Sequence, residues 1–121
     1  MCSSDLAAFD DVLGVGSTSN LDARSTFSDF GDDVVKLAAP GEGIITTYPG
    51  GHYAAAWGTS FSAAFVSGGA ALLLQVNIRT HEEVVADALG ETAKELRGGL
   101  GEGRIDLYRA LLSVIRPESR D

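Results

Sequence analysis

A long apolar segment constrains the fold of this chain more than any other feature. Residues 61–76 carry no charged side chain, and they follow Gly58-Thr59-Ser60, a sequence typical of a helix start. A helix that is apolar almost all round must be covered on every side. The segment is shorter than the ~20 residues of a membrane span, and small or polar residues interrupt it at Ser62, Ser67, Gly68 and Gly69. We therefore predict a buried core helix and no membrane partner.

Two runs of β-branched and small residues upstream of this segment indicate buried strands. They cover residues 11–17 and residues 34–38, and the second run stops at Pro40-Gly41, a strong strand breaker. A β-hairpin is predicted next. Its two short strands cover residues 44–48 and 52–56, and a Pro-Gly-Gly turn at residues 49–51 joins them.

Two further helices are predicted after the apolar segment. The first begins at Thr80, which has capping-box spacing to Glu83. The last helix is capped by Asp106 and ends before Pro117, and the glycine-rich residues 98–103 form a loop between the two helices. Strands followed by helices, one of them fully enclosed, indicate part of an α/β fold. We find no internal repeat and no domain boundary.

Composition excludes some classes of partner. The 121 residues include 45% hydrophobic side chains, enough for a packed core, and the formal net charge is −8. Nucleic-acid binding needs a clustered basic surface, and the lysines and arginines here are scattered. We therefore predict no nucleic-acid partner. The single cysteine, Cys2, excludes a disulfide within the chain.

Ser60 is the residue of greatest chemical interest, because it lies in the first turn of the predicted apolar helix. A serine hydroxyl is a weak nucleophile that needs an adjacent base and donors aimed at the developing oxyanion. A helix N-terminus supplies unsatisfied N–H groups and the positive end of the helix dipole. Gly58 would let a substrate backbone approach closely. An isolated Gly-Thr-Ser is nevertheless a weak motif, since serine at such a position is most often only a helix cap.

Several motifs occur around Ser60 in one consistent order. Before Ser60 they are Val-x-x-Val-Gly (residues 12–16), Phe-Ser-x-aromatic-Gly (27–31) and Ala-Pro-Gly-x-x-Ile (39–44). Gly-Thr-Ser followed by small residues and Val-small-Gly covers residues 58–68, and Gly-x-Gly before a final helix covers residues 101–103. Together they resemble the C-terminal part of the catalytic domain of the subtilisin-like serine proteases (subtilases, peptidase S8 family). The resemblance covers about residues 11–115, and collinear matches are far more specific than any one motif.

The resemblance implies a fold and a chemistry. The fold is a parallel sheet flanked by helices, with a β-hairpin before a buried central helix. The activity is that of a serine endopeptidase, which hydrolyses peptide bonds through an acyl-enzyme on Ser60. Gly58, Thr59 and Phe61 would then lie in the substrate and oxyanion region. Two positions depart from the family, since Ala64 stands where proline is usual and Phe61 where methionine is frequent.

Other catalytic groups of that family have no counterpart in this sequence. The family uses an Asp, a His in a His-Gly-Thr-His setting, and an oxyanion Asn upstream of the serine. The two histidines, His52 and His81, occupy settings unlike the catalytic one. We predict that His52 is a surface or strand residue of the hairpin and that His81 is a solvated residue in the first turn of a helix. No calcium-loop pattern of carboxylates occurs, so we expect no metal and no cofactor. The chain alone is therefore expected to be inactive.

The resemblance also implies boundaries and partners. We expect residues 1–10 to be a non-native or truncated stub, residues 11–116 the C-terminal portion of the catalytic domain, and residues 117–121 a tail. The expected partners are a polypeptide substrate and the missing N-terminal half of the same domain. Members of the family are mostly secreted or periplasmic, although no signal peptide is visible in this sequence.

Three other interpretations were weighed. A degenerate, non-catalytic protease half that acts as a binding module stays open as the alternative, although a binding relic has no need of the intact Gly58-Thr59-Ser60. A dinucleotide-binding domain built on Gly14-Val15-Gly16 fails, because no third glycine follows at the required place. An α/β-hydrolase nucleophile elbow fails, because Ser62 occupies the position that requires glycine.

Overall fold

The computed structural model of the protein describes residues 4–77 and residues 81–115. The helices are α1 (Ser4–Ala7), α2 (Thr59–Val76), α3 (Glu82–Glu91) and α4 (Leu107–Ile115). The strands are β1 (Val15–Thr18), β2 (Leu37–Pro40), β3 (Ile44–Tyr48) and β4 (His52–Ala56). A parallel strand pair packed against helices, with a separate hairpin, confirms the predicted α/β class.

The parallel sheet lies at the centre of the fold. β1 and β2 pair in parallel, with Val15 opposite Leu37. A third segment lies along β2, because Ala38 N–H donates to the Gly103 carbonyl (2.8 Å) and Ile105 N–H donates to the Ala38 carbonyl (2.9 Å). Strands covered on both faces are buried along their length, and this is the case for most of β1 and β2.

Both strands of this sheet begin later than the sequence predicts. The predicted strands cover residues 11–17 and 34–38, whereas β1 begins at Val15 and β2 at Leu37. A turn displaces the second strand, since the Gly31 carbonyl accepts hydrogen bonds from the N–H groups of Val34 (3.0 Å) and Val35 (2.8 Å). β2 also includes Pro40, which sits at the strand end, where a missing N–H costs least.

The hairpin is confirmed with both of its predicted strands. Ile44 pairs with Ala56 and Tyr48 with His52 in an antiparallel register. The final helix is also confirmed, because the Asp106 carboxylate accepts a hydrogen bond from Arg109 N–H (3.0 Å) and so caps α4. The helix predicted from Thr80 begins at Glu82, and Thr80 itself lies outside the described residues.

Helix α2 contributes one stripe to the hydrophobic core. Its buried residues are Ser62, Val66, Gly69 and Leu73, a spacing that lines one face of a helix. This stripe packs against β1, β2, α3 and α4. The main core cluster consists of side chains from β2, α2, α3, α4 and the segment before α4: Leu37, Ala39, Val66, Leu73, Val85, Ala88, Leu89, Ile105 and Ala110.

The surface of α2 outside this stripe remains largely exposed, which differs from the fully enclosed helix expected from the sequence. Large apolar side chains there keep between 42% and 48% of their surface accessible: Phe65, Leu72, Leu74 and Val76. By length and composition alone, α2 could span a membrane. Its buried stripe instead packs in the core, as in the helix of a folded domain. The described residues therefore cover only one side of α2, although apolar side chains also occur on the rest of its surface.

We expect the 121-residue chain on its own to self-associate, because exposed apolar patches of this kind favour association. Leu72 and Leu73 offer a matched pair, since Leu72 is 46% exposed whereas Leu73 is completely buried. Leu72→Gln should lower the weight-average mass in sedimentation velocity while keeping the helical circular dichroism. Leu73→Gln should instead unfold the chain. A wild-type chain that is monomeric with one sharp thermal transition would contradict this prediction.

Candidate active site

Ser60 occupies the second position of α2, and its side chain is exposed. The helix starts after Gly58, whose φ of 153° lies in a region that L side chains rarely adopt. Phe61 N–H donates to the Gly58 carbonyl (3.2 Å), which closes the first turn. The first amides of a helix have no acceptor within the helix and mark the positive end of its dipole. An accessible hydroxyl therefore lies beside donors suited to a developing negative charge.

The end of β2 holds this turn from both sides of Ser60. Gly58 N–H donates to the Gly41 carbonyl (2.9 Å), and the Ser62 hydroxyl donates to the Pro40 carbonyl (3.1 Å). The two anchored residues stand two positions before and two positions after Ser60. We call Pro40 and Gly41 the strand corner. Because the turn is hydrogen-bonded to the strand corner, the orientation of the Ser60 side chain is fixed relative to the central sheet.

A layer of buried serines lies next to the strand corner. The hydroxyls of Ser17 and Ser25 are 2.8 Å apart and hydrogen-bonded. The Ser28 hydroxyl accepts from Ser17 N–H (2.8 Å) and donates to the Asp29 carbonyl (2.9 Å). Sequence reasoning missed this layer, because its members are separated along the chain and only the Phe-Ser motif containing Ser28 drew attention. The Ser28 hydroxyl thus satisfies two backbone groups, whereas the hydroxyls of Ser17 and Ser25 satisfy each other.

The position of Gly41 in the strand corner has no room for a side chain. A Cβ on Gly41 would overlap Ser17 Oγ and would lie 2.5 Å from Ser62 Oγ and 2.9 Å from the Gly58 carbonyl oxygen. Its N–H donates to the Thr18 carbonyl at 3.0 Å. The glycine of the Ala-Pro-Gly motif therefore lets β1, β2 and the start of α2 meet at one point.

Thr59 and Phe61, the predicted neighbours of Ser60 in a substrate site, are both half-buried. Phe61 lines an apolar groove of about 380 Å³ along the exposed face of α2. The groove is completed by side chains and backbone from α2 and the start of α4: Ala64, Phe65, Gly68, Gly69, Leu72 and Leu107. Ala64, at the position where the family usually has proline, is therefore part of this groove wall.

The structure does not bring either histidine to Ser60. His52 begins β4 and pairs with Tyr48 at the tip of the hairpin, whereas Gly58 lies beyond the other end of that strand. His81 precedes α3 and follows the far end of α2, which is about 24 Å of helix from Ser60. Among the residues that the structure describes, no group of three or more His, Cys, Asp or Glu side chains could hold a metal ion. Neither histidine of the sequence is therefore placed to act as a base for Ser60.

Asp22, Lys94 and Arg104 form a charged cluster that the sequence did not indicate. Asp22 bonds to Lys94 Nζ (2.6 Å) and to Arg104 Nε (2.5 Å) through its two carboxylate oxygens. Hydrogen bonds from Arg104 first, and then from Lys94, hold the pKa of Asp22 below its ordinary value of 3.8. Asp22 has a φ of 58°, a conformation that Asp and Asn tolerate better than most residues. The cluster ties the loop after β1 to the segment that lies along β2.

We expect Asp22→Asn to lower the free energy of unfolding at neutral pH by about 1 kcal/mol, since the pairs are partly exposed and screened. Asparagine keeps the backbone conformation and removes only the charge. A carboxyl whose pKa is depressed in the folded protein stabilises it above the unfolded value of 3.8. The difference in stability between wild type and variant should therefore begin to shrink as the pH falls below 3.8, and it should be lost below the lower pKa that Asp22 has in the folded protein. Urea unfolding from pH 7 to pH 3 would test this, with Asp33→Asn at an exposed carboxylate as the control. Equal losses in both variants would contradict it.

Comparison with known proteins decides the family. The sequence profile of the subtilase family, Peptidase S8, matches residues 3–107. The chain belongs to the subtilase family. This assignment confirms the resemblance seen in the motifs.

Curated relatives of this subtilase include two bacterial enzymes. Thermitase from Thermoactinomyces vulgaris is 36% identical over 110 residues, which cover 87% of this chain and 38% of thermitase. Subtilisin BL from Lederbergia lenta is 37% identical over 93 residues, which cover 71% of this chain and 34% of that protein. The subtilase chain described here therefore spans little more than a third of the length of these relatives.

Solved structures show the same fold. The patellamide maturation protease PatA superposes on this subtilase with a TM-score of 0.78 and 30% identity, over 90% of this chain and 45% of PatA. MycP1 from Mycobacterium smegmatis gives a TM-score of 0.75 and 34% identity, over 87% of this chain and 31% of MycP1. The architecture described above is therefore a recurring part of larger protease folds.

Proposed function

We propose that this subtilase chain is the C-terminal part of the catalytic domain of an exported serine endopeptidase, and that Ser60 is its nucleophile. The observation that carries the proposal is an exposed serine in the first turn of α2, held at Gly58 and Ser62 by the strand corner. Ser60 Oγ attacks the carbonyl carbon of a polypeptide substrate and forms an acyl-enzyme, which water then hydrolyses. The backbone N–H of Ser60 faces the oxyanion of the tetrahedral intermediate.

The remaining catalytic groups come from the rest of the domain. A base must accept the proton of Ser60 Oγ, and a carboxylate must orient that base. Neither His52 nor His81 lies near Ser60 in the structure, so the base belongs to residues outside this chain. The exposed apolar face of α2 supplies a surface against which those residues pack. The 121 residues alone then have negligible peptidase activity.

Three neighbours of Ser60 take supporting roles in this proposal. Gly58 leaves space for the substrate backbone, because it has no side chain and adopts a φ of 153°. Thr59 and Phe61 form walls beside the nucleophile, and Phe61 joins the apolar groove along α2 to the site. No metal or cofactor takes part in the proposed reaction.

The test begins with the DNA of the source upstream of codon seven, a codon that lies within the predicted stub at residues 1–10. We expect an in-frame segment with an Asp-Thr-Gly-type strand, a His-Gly-Thr-His-type motif and an Asn-bearing loop. The protein encoded by the complete reading frame, here called the longer protein, should then react with a fluorophosphonate probe, and peptide mass mapping should place the adduct on Ser60. A stop codon or promoter at that place in the DNA, or a complete protein that the probe leaves unmodified, would favour the binding-module alternative instead.

A further inference from the structure

We propose that Ser62 is a positioning residue for Ser60, an inference that rests on the proposed function. The two serines lie two positions apart on α2, so their side chains point to nearly opposite sides of the helix, about 200° apart. Ser60 is exposed, whereas Ser62 is completely buried. The buried serine therefore faces the sheet when the nucleophile faces solvent.

The hydroxyl of Ser62 has a specific partner. It donates to the Pro40 carbonyl at the end of β2 (3.1 Å), a contact between residues 22 positions apart in the sequence. A buried hydroxyl costs free energy unless it is hydrogen-bonded, and alanine would fill an apolar position without that cost. A role for the Ser62 hydrogen bond in orienting α2 thus explains the serine better than packing does.

That hydrogen bond fixes the orientation of the first turn of α2. Gly58 N–H holds the turn at the Gly41 carbonyl (2.9 Å), and the Ser62 hydroxyl holds it at the Pro40 carbonyl. With both bonds present, the turn is held before and after Ser60. With one bond lost, the turn can rotate about the other. Acyl transfer requires the nucleophile within a few tenths of an ångström of its productive position, so such rotation lowers the rate of attack.

Ser62→Ala in the longer protein should lower kcat for a peptide substrate by about 10- to 100-fold and leave KM within about twofold, because the binding surface is unchanged. The rate of acylation by a fluorophosphonate probe should fall by the same factor. Ser25→Ala is the matched control, since it removes an equally buried hydroxyl that is bonded to Ser17 Oγ and makes no hydrogen bond to the strand corner or to the first turn of α2. It should lower Tm by a similar amount and keep kcat near the wild-type value.

The outcomes separate the two proposals. If wild type is not labelled, or Ser60→Ala is labelled as fast as wild type, the proposed function fails and this inference fails with it. If wild type is labelled at Ser60 and Ser62→Ala is acylated at the wild-type rate, this inference alone is overturned. A loss of kcat in Ser25→Ala as large as in Ser62→Ala also overturns it. Should Ser62→Ala not fold, Ser62→Cys places a slightly larger side chain with only a weak donor at this position, and it must show the same fall in kcat at unchanged KM.

Discussion

Ser60→Ala in the longer protein is expected to lower kcat for a peptide substrate by about 10⁶-fold, a magnitude known from a subtilisin of this family and not calculated from the present geometry. The physical reason is the loss of the only hydroxyl in the turn that is exposed at the helix N-terminus. Thr59 is half-buried and Ser62 is completely buried with its hydroxyl on the Pro40 carbonyl, so neither can replace the nucleophile. KM should change little, because alanine leaves the binding surface in place.

Ser67→Ala provides the control for this measurement. Ser67 is an exposed serine of the same helix, about two turns after Ser60. Its substitution should leave kcat within about twofold of wild type, since it touches no reacting group. Initial rates with a chromogenic peptide, and intact-protein mass after the fluorophosphonate probe, would be compared for the three proteins. Full turnover in Ser60→Ala would remove Ser60 from the mechanism.

Local features of the fold were predictable from the sequence. The helix start at Gly58-Thr59-Ser60, the hairpin around Pro49 and the Asp106 cap each depend on residues close together along the chain, and all three occur in the structure. The family was predictable as well, because several short motifs occur in order. These signals combine local backbone preferences with spacing, which a single sequence contains.

Features that depend on distant residues were not predictable in the same way. Asp22 meets Lys94 and Arg104 across 72 and 82 positions of sequence. β2 begins late because the Gly31 carbonyl accepts hydrogen bonds from two amides in a turn, a competition that β propensity does not describe. The serine layer at the strand corner likewise depends on which hydroxyls the fold brings together.

The candidate site combines both kinds of information. The candidate nucleophile could be located from the Gly-Thr-Ser motif. The hydrogen bonds that hold its turn to the strand corner could not be predicted from the sequence. The Pro40 carbonyl is bonded by a residue 22 positions later, and nothing in the local sequence of Ser62 indicates that bond. The strand corner is therefore the part of the site that only the three-dimensional structure reveals, and a single methyl group added there should have a large effect on stability.

Gly41→Ala is expected to lower the free energy of unfolding of the longer protein by about 3 kcal/mol or more, because overpacking at a rigid site forces the backbone to move. The added Cβ would overlap Ser17 Oγ and crowd Ser62 Oγ and the Gly58 carbonyl oxygen. Two of these atoms belong to short buried side chains and one to the backbone, so none can move aside cheaply. The shift would also part the strand corner from α2, and kcat should fall with stability.

Gly43→Ala separates this steric effect from the general cost of replacing a glycine. Gly43 has a φ of 62°, and a Cβ there would meet no atom within 4 Å. Its substitution should cost only about 1 kcal/mol, from the strain of a positive φ in an L residue, and should leave kcat unchanged. Urea unfolding of both variants at equal m-values, with kcat on the same samples, gives the comparison. If Gly41→Ala were no less stable than Gly43→Ala, the corner would be more compliant than its contacts indicate. The close fit of β1, β2 and α2 would then not be what orients Ser60.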